Sequence, residues 1–185
     1  MKKNIAILVA AVCLALGCVL GYFAGTYFLP KIQKDMRNKS YTLESAQKKY
    51  SSWEKDRLVV KFDGVEKTLS DYENEHQNFA IFFWAIWCPY CKDNLDFIKS
   101  MAAKSNIIGM PFDDDSEYFN FYVEKKSLNW GNIVKSVTPD GSVDFVPRED
   151  SFDVQLIPSV WIIKNGSVEK IIVGSKNLSE LETLL

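Results

Sequence analysis

A run of apolar residues that ends in two closely spaced cysteines is the feature that most constrains the fold of this chain. Residues 79–84 have the length of a strand, and both of their alternating faces are apolar: Phe79, Ile81 and Phe83 on one, Ala80, Phe82 and Trp84 on the other. This pattern is typical of a central strand that is covered on both sides. Cys88 and Cys91 follow, and apolar residues then recur at helical spacing up to Ala102. The sequence therefore predicts two cysteines at a junction between a buried strand and a helix.

The predicted position of Cys88 at a helix N-terminus favours its thiolate, because unpaired backbone N–H groups and the positive end of the helix dipole lie there. A free cysteine has a pKa of about 8.5, and a Cys-x-x-Cys motif at such a position can lower it to about 3.5–7.5. Cys91, one turn further on, is expected to face inward, close enough to form a disulfide with Cys88. We expect Cys88 to be the outer, attacking sulfur and Cys91 to resolve the mixed disulfide. Pro89 suits the first helical position, and Tyr90 is expected at the exposed tip.

Three other uses of the cysteine pair are weighed against redox exchange. A structural zinc site usually has four ligands, and outside this pair the chain has Cys13, Cys18 and one histidine, His76. A copper site would want a third ligand such as His76, which lies in a polar stretch. A purely structural disulfide that encloses two residues would remove little entropy from the unfolded chain. The sequence favours redox exchange, without a metal or another cofactor.

The stretch FFWAIWCPYC resembles the active-site strand and turn of the thioredoxin superfamily. With its lead-in, LVVKFDGVEKTLSDYENEHQNFA, it resembles the membrane-anchored, extracytoplasmic branch of TlpA, ResA and DsbE type. The segments IIGMPFDDDSEYFNFYVEKKSLNW, TPDGSVDFV and VQLIPSVWIIKNGSVEKIIVG continue this resemblance in the same order, so that it covers nearly all of residues 57–185. It implies an α/β thioredoxin fold, with a central mixed β-sheet flanked by helices, and thiol:disulfide oxidoreductase activity on protein clients.

The resemblance also implies which residues bind the client. In the superfamily, the proline that matches Pro158 is cis and lies against the Cys-x-x-Cys, where the backbone of the preceding residue pairs with the client segment. The implied substrate-binding residues are Trp87, Pro89, Tyr90, Ile157 and Pro158, beside the catalytic, disulfide-forming Cys88 and Cys91.

One departure from the family pattern bears on the direction of electron flow. Thioredoxin has a buried carboxylate six residues before its first active cysteine, whereas this chain has Phe82 there. Proton transfer at Cys91 would then use water, Asp93 or a backbone group. Related folds have reduction potentials of about −120 to −270 mV, which separates oxidants from reductants. The family branch favours a reductant, with a disulfide oxidase or isomerase and a copper-binding thioredoxin-fold chaperone as alternatives.

The N-terminal part of the chain predicts a membrane anchor. Residues 5–29 contain no charged side chain and are long enough to cross a hydrocarbon core of about 30 Å. The apolar run exceeds a cleavable signal core of about 7–15 residues, which favours an uncleaved single-pass helix. Cleavage after Ala24 or Gly25 and lipidation of Cys18 are alternatives. Gly17, Gly21 and Gly25 recur at four-residue spacing, so dimerisation through that face is a further hypothesis.

The short basic N-terminus and the family resemblance place the globular domain outside the cytoplasm, on the periplasmic side. Lys2 and Lys3 precede the span, although Lys31, Lys34, Arg37 and Lys39 follow it, so charge counting alone does not favour this orientation. In that location we expect protein thiol and disulfide clients and a membrane or extracytoplasmic redox partner.

Length and composition fit this arrangement. With 185 residues, 47% of them hydrophobic, and a formal charge of −2, the chain has room for one ordinary globular domain and an apolar appendage. Nothing suggests nucleic-acid binding. We predict an anchor over residues 1–29, a juxtamembrane linker over residues 30–56 and a thioredoxin-like domain over residues 57–185. The linker is expected to hold a helix near residues 43–53 that either docks on the domain or spaces it from the membrane.

Local signals predict the remaining elements. Strands are expected over residues 58–62, 65–68, 106–112, 130–137 and 143–146, and a helix over residues 116–126 with Phe119, Tyr122 and Val123 inward. Ser70 is expected to cap a helical turn that ends at Glu75. Asn165 and Gly166 predict a two-residue hairpin. Asn177 is expected to cap the last helix, with Glu180 as its capping-box partner.

Overall fold

A computed structural model of the chain describes residues 42–112, 116–137, 143–144 and 156–185. They form one compact unit that begins at Leu43. Its helices are α1 (Leu43–Ser51), α2 (Leu69–Glu75), α3 (Pro89–Asp93), α4 (Leu95–Ala102), α5 (Ser116–Lys125), a 3-10 helix (Ser175–Glu180) and α6 (Leu181–Leu184).

Within the described residues, eight strands form one mixed sheet in the order β2-β1-β5-β4-β3-β7-β8, with β6 paired to β5. The strands are β1 (Leu58–Phe62), β2 (Val65–Thr68), β3 (Asn78–Trp84), β4 (Ile107–Pro111), β5 (Gly131–Val137), β6 (Val143–Asp144), β7 (Ser159–Lys164) and β8 (Ser167–Val173). The pairs β3–β4 and β4–β5 are parallel, and the other pairs are antiparallel. The sheet with its flanking helices agrees with the expected architecture.

Strand β3 is the centre of the core, as its two apolar faces predicted. Every residue from Phe79 to Trp84 is fully buried. On one face of the sheet, the ring of Trp84 lies 5.4 Å from that of Phe119 in α5. On the other face, the ring of Phe83 lies 4.7 Å from that of Trp161 in β7. Because aromatic residues cover both sides, β3 can accept no polar side chain along this length without a large desolvation cost.

The helix in the predicted linker docks on the sheet. Helix α1 lies against β8, and Gln47 Nε2 donates a hydrogen bond of 2.8 Å to the carbonyl oxygen of Val168. Tyr50, at the end of α1, is fully buried. Just beyond the helix, Trp53 stacks on Trp161 with 5.6 Å between the ring centroids. The second half of the predicted linker therefore belongs to the compact unit that begins at Leu43.

A small polar network fastens α1 to α2. The hydroxyl group of Tyr50 donates a hydrogen bond of 3.0 Å to Glu73 Oε1. Lys55 Nζ lies 2.8 Å from Glu73 Oε2 and 4.0 Å from the centroid of the Tyr50 ring. Burial, followed by the negative charge and hydrogen bond of Glu73, raises the pKa of Tyr50 well above its usual value. Burial and the charge of Glu75 likewise raise the pKa of Tyr72 to about 12.

The predicted tight turn connects a hairpin, and two predicted caps are wrong. Asn165 and Gly166 have positive φ angles of 49° and 77°, which two-residue hairpins of type I′ require. The N-cap of α2 is Thr68, whose side chain accepts a hydrogen bond from the Asp71 N–H, so Ser70 lies inside the helix. The Thr68 side chain already accepts a hydrogen bond from the first turn of the helix. The helix therefore begins at Leu69, and Ser70 is not its N-cap.

At the C-terminus, Asn177 lies within the 3-10 helix and donates its side-chain N–H to the carbonyl oxygen of Val173. It therefore does not cap the last helix. Glu180 forms an ion pair with Lys170 of β8, with 2.7 Å between Lys170 Nζ and Glu180 Oε2. This long-range partner replaces the predicted capping-box contact.

Several predictions concern residues outside the described ranges. These are the anchor over residues 5–29 with Cys13, Cys18 and its glycines, the start of the linker over residues 30–41, and the end of the predicted strand at residues 145–146. No helix in the described ranges is long and apolar enough to cross a membrane.

The Tyr50 network predicts how stability depends on alkaline pH. The unfolded chain loses the Tyr50 proton above about pH 10, whereas the folded protein retains it. The contribution of the buried Tyr50 hydroxyl to folding stability is therefore fully present below pH 10 and is lost as the pH rises toward the folded pKa. We expect Tyr50→Phe to cost about 1 kcal/mol of unfolding free energy at pH 8. We also expect it to flatten the decline in stability between pH 9 and 11. Urea unfolding followed by tryptophan fluorescence measures both, and equal slopes in the two proteins would contradict the assignment.

Candidate redox site

The cysteine pair lies where β3 ends and α3 begins, as the sequence predicted. The Cys88 N–H donates to the carbonyl oxygen of Ala85 over 3.2 Å, which turns the chain after the strand. Cys88 is the N-cap residue of α3, and its Sγ accepts a hydrogen bond of 3.2 Å from the Cys91 N–H. Cys88 and Cys91 form a disulfide with 5.3 Å between their Cα atoms. Pro89 occupies the first position of the helix, where its missing N–H costs nothing.

The helix after the cysteines is interrupted, whereas the sequence predicted one continuous helix. Asn94 has φ −105° and ψ 1°, which ends α3 after five residues and starts α4. Its side-chain N–H donates to the carbonyl oxygen of Tyr90 over 2.7 Å. Asparagine bonds readily to nearby backbone groups and therefore competes with helical hydrogen bonding. The break leaves Cys88 at the start of a short helix.

Neither sulfur lies open to solvent. Cys91 is fully buried, as predicted, but Cys88 is also only 3% exposed, so the expected outer cysteine is recessed. Trp87 and Tyr90 stand out beside it, with 58% and 64% of their surfaces exposed. The indole N–H of Trp87 donates to the carbonyl oxygen of Phe112 over 3.3 Å, which ties the active-site turn to the end of β4.

The loop before β7 faces the cysteines across this recess. The Ile157–Pro158 peptide bond is cis, and Cys88 Sγ lies 3.9 Å from the carbonyl oxygen of Ile157. The Pro158 carbonyl oxygen accepts a 2.8 Å hydrogen bond from the Gly174 N–H at the end of β8. The structure thus brings together two segments that are 69 residues apart in the sequence, and these carry all the predicted site residues.

Phe82 packs among aromatic rings where thioredoxin has its buried carboxylate. Its ring stacks with Trp84 at 6.2 Å and meets Trp130 edge-on at 6.3 Å. The indole N–H of Trp84 donates to Asn132 Oδ1 over 3.3 Å, and Gly109 lies so close that a Cβ there would meet this oxygen at 2.1 Å. Sequence reasoning missed this buried polar contact. A glycine inside an apolar strand was the available signal, because it often marks a close approach.

The metal alternatives find no additional ligands in this geometry. His76 precedes β3 and Cys88 follows it, so the seven-residue strand separates them by about 20 Å. His76 instead packs against Tyr72, with 4.6 Å between the ring centroids. Within the described ranges, no group of three or more histidine, cysteine and acidic residues could hold a metal ion. The arrangement that is present can exchange a disulfide, because the two sulfurs are bonded to each other at the start of α3, with Cys88 Sγ beside the carbonyl oxygen of Ile157.

No model of a known protein family matches the chain. Its fold is similar to that of a secreted Mycobacterium tuberculosis disulfide oxidoreductase homologous to Escherichia coli DsbE. That match has 17% identity and a TM-score of 0.51, over 71% of this chain and 98% of the other. Thioredoxin from Wuchereria bancrofti matches with 24% identity and a TM-score of 0.50, over 68% and 86% of the two chains. These likenesses show the thioredoxin-like fold.

The sequence is 25% identical to the thiol-disulfide oxidoreductase ResA of Oceanobacillus iheyensis over 158 residues, which cover 80% of this chain and 73% of ResA. The chain is thus similar to TlpA/ResA/DsbE-like thiol-disulfide oxidoreductases. The expected resemblance and the mixed α/β thioredoxin-like fold are confirmed. In this TlpA/ResA/DsbE-like protein, the roles of the individual site residues stay predictions.

The burial of the two sulfurs predicts a difference in their reactivity in the reduced TlpA/ResA/DsbE-like protein. Iodoacetamide should modify Cys88 at least about ten times faster than Cys91, because Cys88 lies at the helix N-terminus and nearer the surface. Peptide mapping by mass spectrometry measures this and separates both sites from Cys13 and Cys18. Cys88→Ser should leave Cys91 slow to react. Equal modification of both cysteines in the folded protein would show that the described recess does not control access.

Proposed function

We propose that this protein is a membrane-anchored, extracytoplasmic protein-disulfide reductase. The coarser activity, thiol:disulfide exchange, is supported by the similarity to the thiol-disulfide oxidoreductase ResA. The observation that carries the proposal is the Cys88–Cys91 disulfide at the start of α3, with its Cys88 sulfur 3.9 Å from Ile157. A cysteine pair in this position can form and release a mixed disulfide without moving the strand beneath it.

The proposed reaction begins with the reduced protein. The Cys88 thiolate attacks one sulfur of a client disulfide, forms a Cys88–client disulfide and releases the other client sulfur as a thiolate, which takes up a proton. The Cys91 thiol then loses its proton and attacks Cys88 Sγ. This step forms the Cys88–Cys91 disulfide and releases the second client thiol. The client gains two electrons and two protons, and the protein becomes the disulfide that the structure contains.

Two contacts act on the charge of Cys88 in opposite directions. The Cys91 N–H, 3.2 Å from Cys88 Sγ, stabilises a thiolate. The Ile157 carbonyl oxygen at 3.9 Å carries partial negative charge and accepts a hydrogen bond from a thiol, so it stabilises the protonated form. Strong oxidants of this fold depend on a strongly stabilised reduced form. Because the Ile157 carbonyl oxygen opposes the thiolate, the reduced form of the protein is expected to be only moderately stabilised. This supports the reductant direction.

The remaining parts of the proposal follow from the sequence and the family. The apolar residues 5–29 would hold the protein in the membrane. A reductase must be reduced again after each cycle, and a dithiol redox partner in or outside the membrane would supply the two electrons. The sulfur pair carries these electrons itself, so the reaction needs no bound cofactor. Trp87, Pro89, Tyr90, Ile157 and Pro158 would contact the client segment.

Replacement of single cysteines tests the proposed roles. We expect Cys88→Ser to lower the rate of insulin disulfide reduction on the order of 10³-fold or more, because no attacking sulfur remains. Cys91→Ser should still attack and should accumulate a mixed disulfide that electrophoresis without reductant detects. A Cys13→Ser/Cys18→Ser variant is the matched control and should keep the wild-type rate. A Cys88→Ser protein with the wild-type rate would refute the proposal.

The reduction potential decides the direction. For the full chain carrying Cys13→Ser and Cys18→Ser, equilibrated with glutathione buffers, we expect a value of about −250 mV, typical of reductants. The alkylation rate of Cys88 should reach half its maximum at about pH 7 or above. A potential of about −130 mV with half-maximal alkylation at strongly acidic pH would instead make the protein an oxidase or isomerase.

A further inference from the structure

Helix α5 presents aromatic side chains on the surface of the described unit. Tyr118 and Phe121 are 53% and 57% exposed, and Tyr122 is half-buried. Together with the exposed Lys125, these residues recur at spacings of three and four, so they line one side of the helix. We use the term aromatic stripe for Tyr118, Phe121, Tyr122 and Lys125.

The packing of α5 on the sheet uses a different side of the helix. Phe119 is buried against Trp84, with 5.4 Å between the ring centroids. Asn120 is exposed and points away from the stripe, because each residue turns the helix by about 100°. The fold therefore does not use the exposed surface of Tyr118 and Phe121. Contiguous exposed apolar side chains mark interaction sites more often than singly scattered ones do.

The composition of the stripe fits a lipid surface. Lys125 Nζ lies 5.6 Å from the centroid of the Phe121 ring, and the adjacent Lys126 Nζ lies 5.9 Å from that of Tyr122. Tyrosine rings, and lysines whose stems run along apolar surface, are typical of the interface between a membrane and water. The stripe therefore has the chemistry of a helix face that lies on a bilayer.

The proposed anchor keeps a bilayer within reach of this stripe. Residues 30–42 separate the apolar residues 5–29 from the start of α1. These 13 residues extend to about 43–47 Å at most, whereas a compact unit the size of residues 43–185 has a diameter of about 40 Å. The tether is thus long enough for α5 to meet the membrane, and it raises the effective concentration of the bilayer at the surface of the unit.

We propose that the aromatic stripe of α5 lies on the bilayer that the proposed anchor spans, with the rings of Tyr118 and Phe121 among the lipid headgroups. This inference rests on the proposed membrane anchoring. Helix α5 begins four residues after Phe112, whose carbonyl oxygen holds the indole of Trp87, so its first residue lies within about 14 Å of Phe112. The contact therefore keeps the redox site close to a redox partner in the same membrane.

Quenching of tryptophan fluorescence by lipid tests the contact on the full chain in vesicles of phosphatidylcholine that is brominated near the headgroup end of its acyl chains. Tyr118→Trp and Phe121→Trp place the probe on the stripe, and Asn120→Trp is the matched control on the same helix. The signal of the five native tryptophans is subtracted with the wild type. We expect the probes at positions 118 and 121 to be quenched at least about twice as strongly as that at position 120, because an interfacial helix buries its apolar face by about 5–10 Å.

Removal of the rings tests whether they cause the contact. Lys125→Trp should be quenched as strongly as the other probes on the stripe. Addition of Tyr118→Ser and Phe121→Ser to this protein should lower its quenching to that of Asn120→Trp, because the inserting side chains are gone. Phe62→Ser, which changes an exposed phenylalanine of β1, should leave it unaltered. The rate of insulin reduction should stay at the wild-type value in each variant, since none of them alters the cysteine site.

The charges on α5 should contribute little to the contact. The exposed Glu117 and Glu124 match Lys125 and Lys126 in number, so anionic lipid has no net charge on this surface to attract. We expect the same ratio of quenching with and without phosphatidylglycerol, and at about 50 and about 500 mM salt. A preference for positions 118 and 121 that appears only with phosphatidylglycerol would overturn the ring-based contact in favour of charge attraction.

The remaining outcomes separate the contact from the anchor. Equal quenching at positions 118, 120 and 121, in protein that stays with the vesicles during alkaline carbonate extraction, would overturn the docking of α5 while the anchor stands. Quenching that survives Tyr118→Ser with Phe121→Ser would show that the rings do not carry the contact. Release of the full chain by carbonate would instead contradict the proposed membrane anchoring.

Discussion

The structure depends on strand β3, which pairs with a strand on each edge and is covered by aromatic side chains on both faces. Its residues pair with β4 on one edge and β7 on the other, and all six residues from Phe79 to Trp84 are fully buried. A strand held on both edges and both faces cannot shift its register without exposing its whole apolar set. Cys88 lies four residues beyond the end of β3, so the position of β3 largely determines the position of the Cys88 sulfur.

The same pairing brings the second half of the site into place. Phe83 pairs with Ser159, the first residue of β7, which puts Pro158 and Ile157 beside the turn that carries Cys88. The Gly174 N–H holds the Pro158 carbonyl oxygen from β8, and Trp87 is tied to Phe112 after β4. Four strands, β3, β4, β7 and β8, thus hold the two segments of the site, and a site supported by strands keeps its geometry better than one carried by loops alone.

The site combines a modest electrostatic environment with an apolar entrance. Cys88 has an N–H donor at 3.2 Å on one side and a carbonyl oxygen at 3.9 Å on the other. Phe82, six residues before Cys88 in the sequence, stacks on Trp84 at the position where thioredoxin has a carboxylate. Helix α1 closes the opposite face of the sheet through Tyr50 and Trp53. The part of the predicted linker from Leu43 onward therefore belongs to the folded unit that carries the site.

The sequence by itself determined what depends on neighbours within one turn or one strand. Local sequence predicts four features: the uninterrupted apolar run of β3, the Cys-x-x-Cys before a helix, Pro89 at its first position and the Asn165–Gly166 hairpin. Only the tertiary structure decided the recess of Cys88, the break at Asn94, the docking of α1 and the contact between Asn132 and Trp84. Each of these features depends on a partner that is distant in the sequence or on competition between local hydrogen bonds. The spacing of hydrophobic residues encodes neither of these two causes. The partner of Cys88 illustrates the difference: its bond to Cys91 spans three residues and could be predicted from the motif, whereas its contact with Ile157 spans 69 and required the register of β3 and β7.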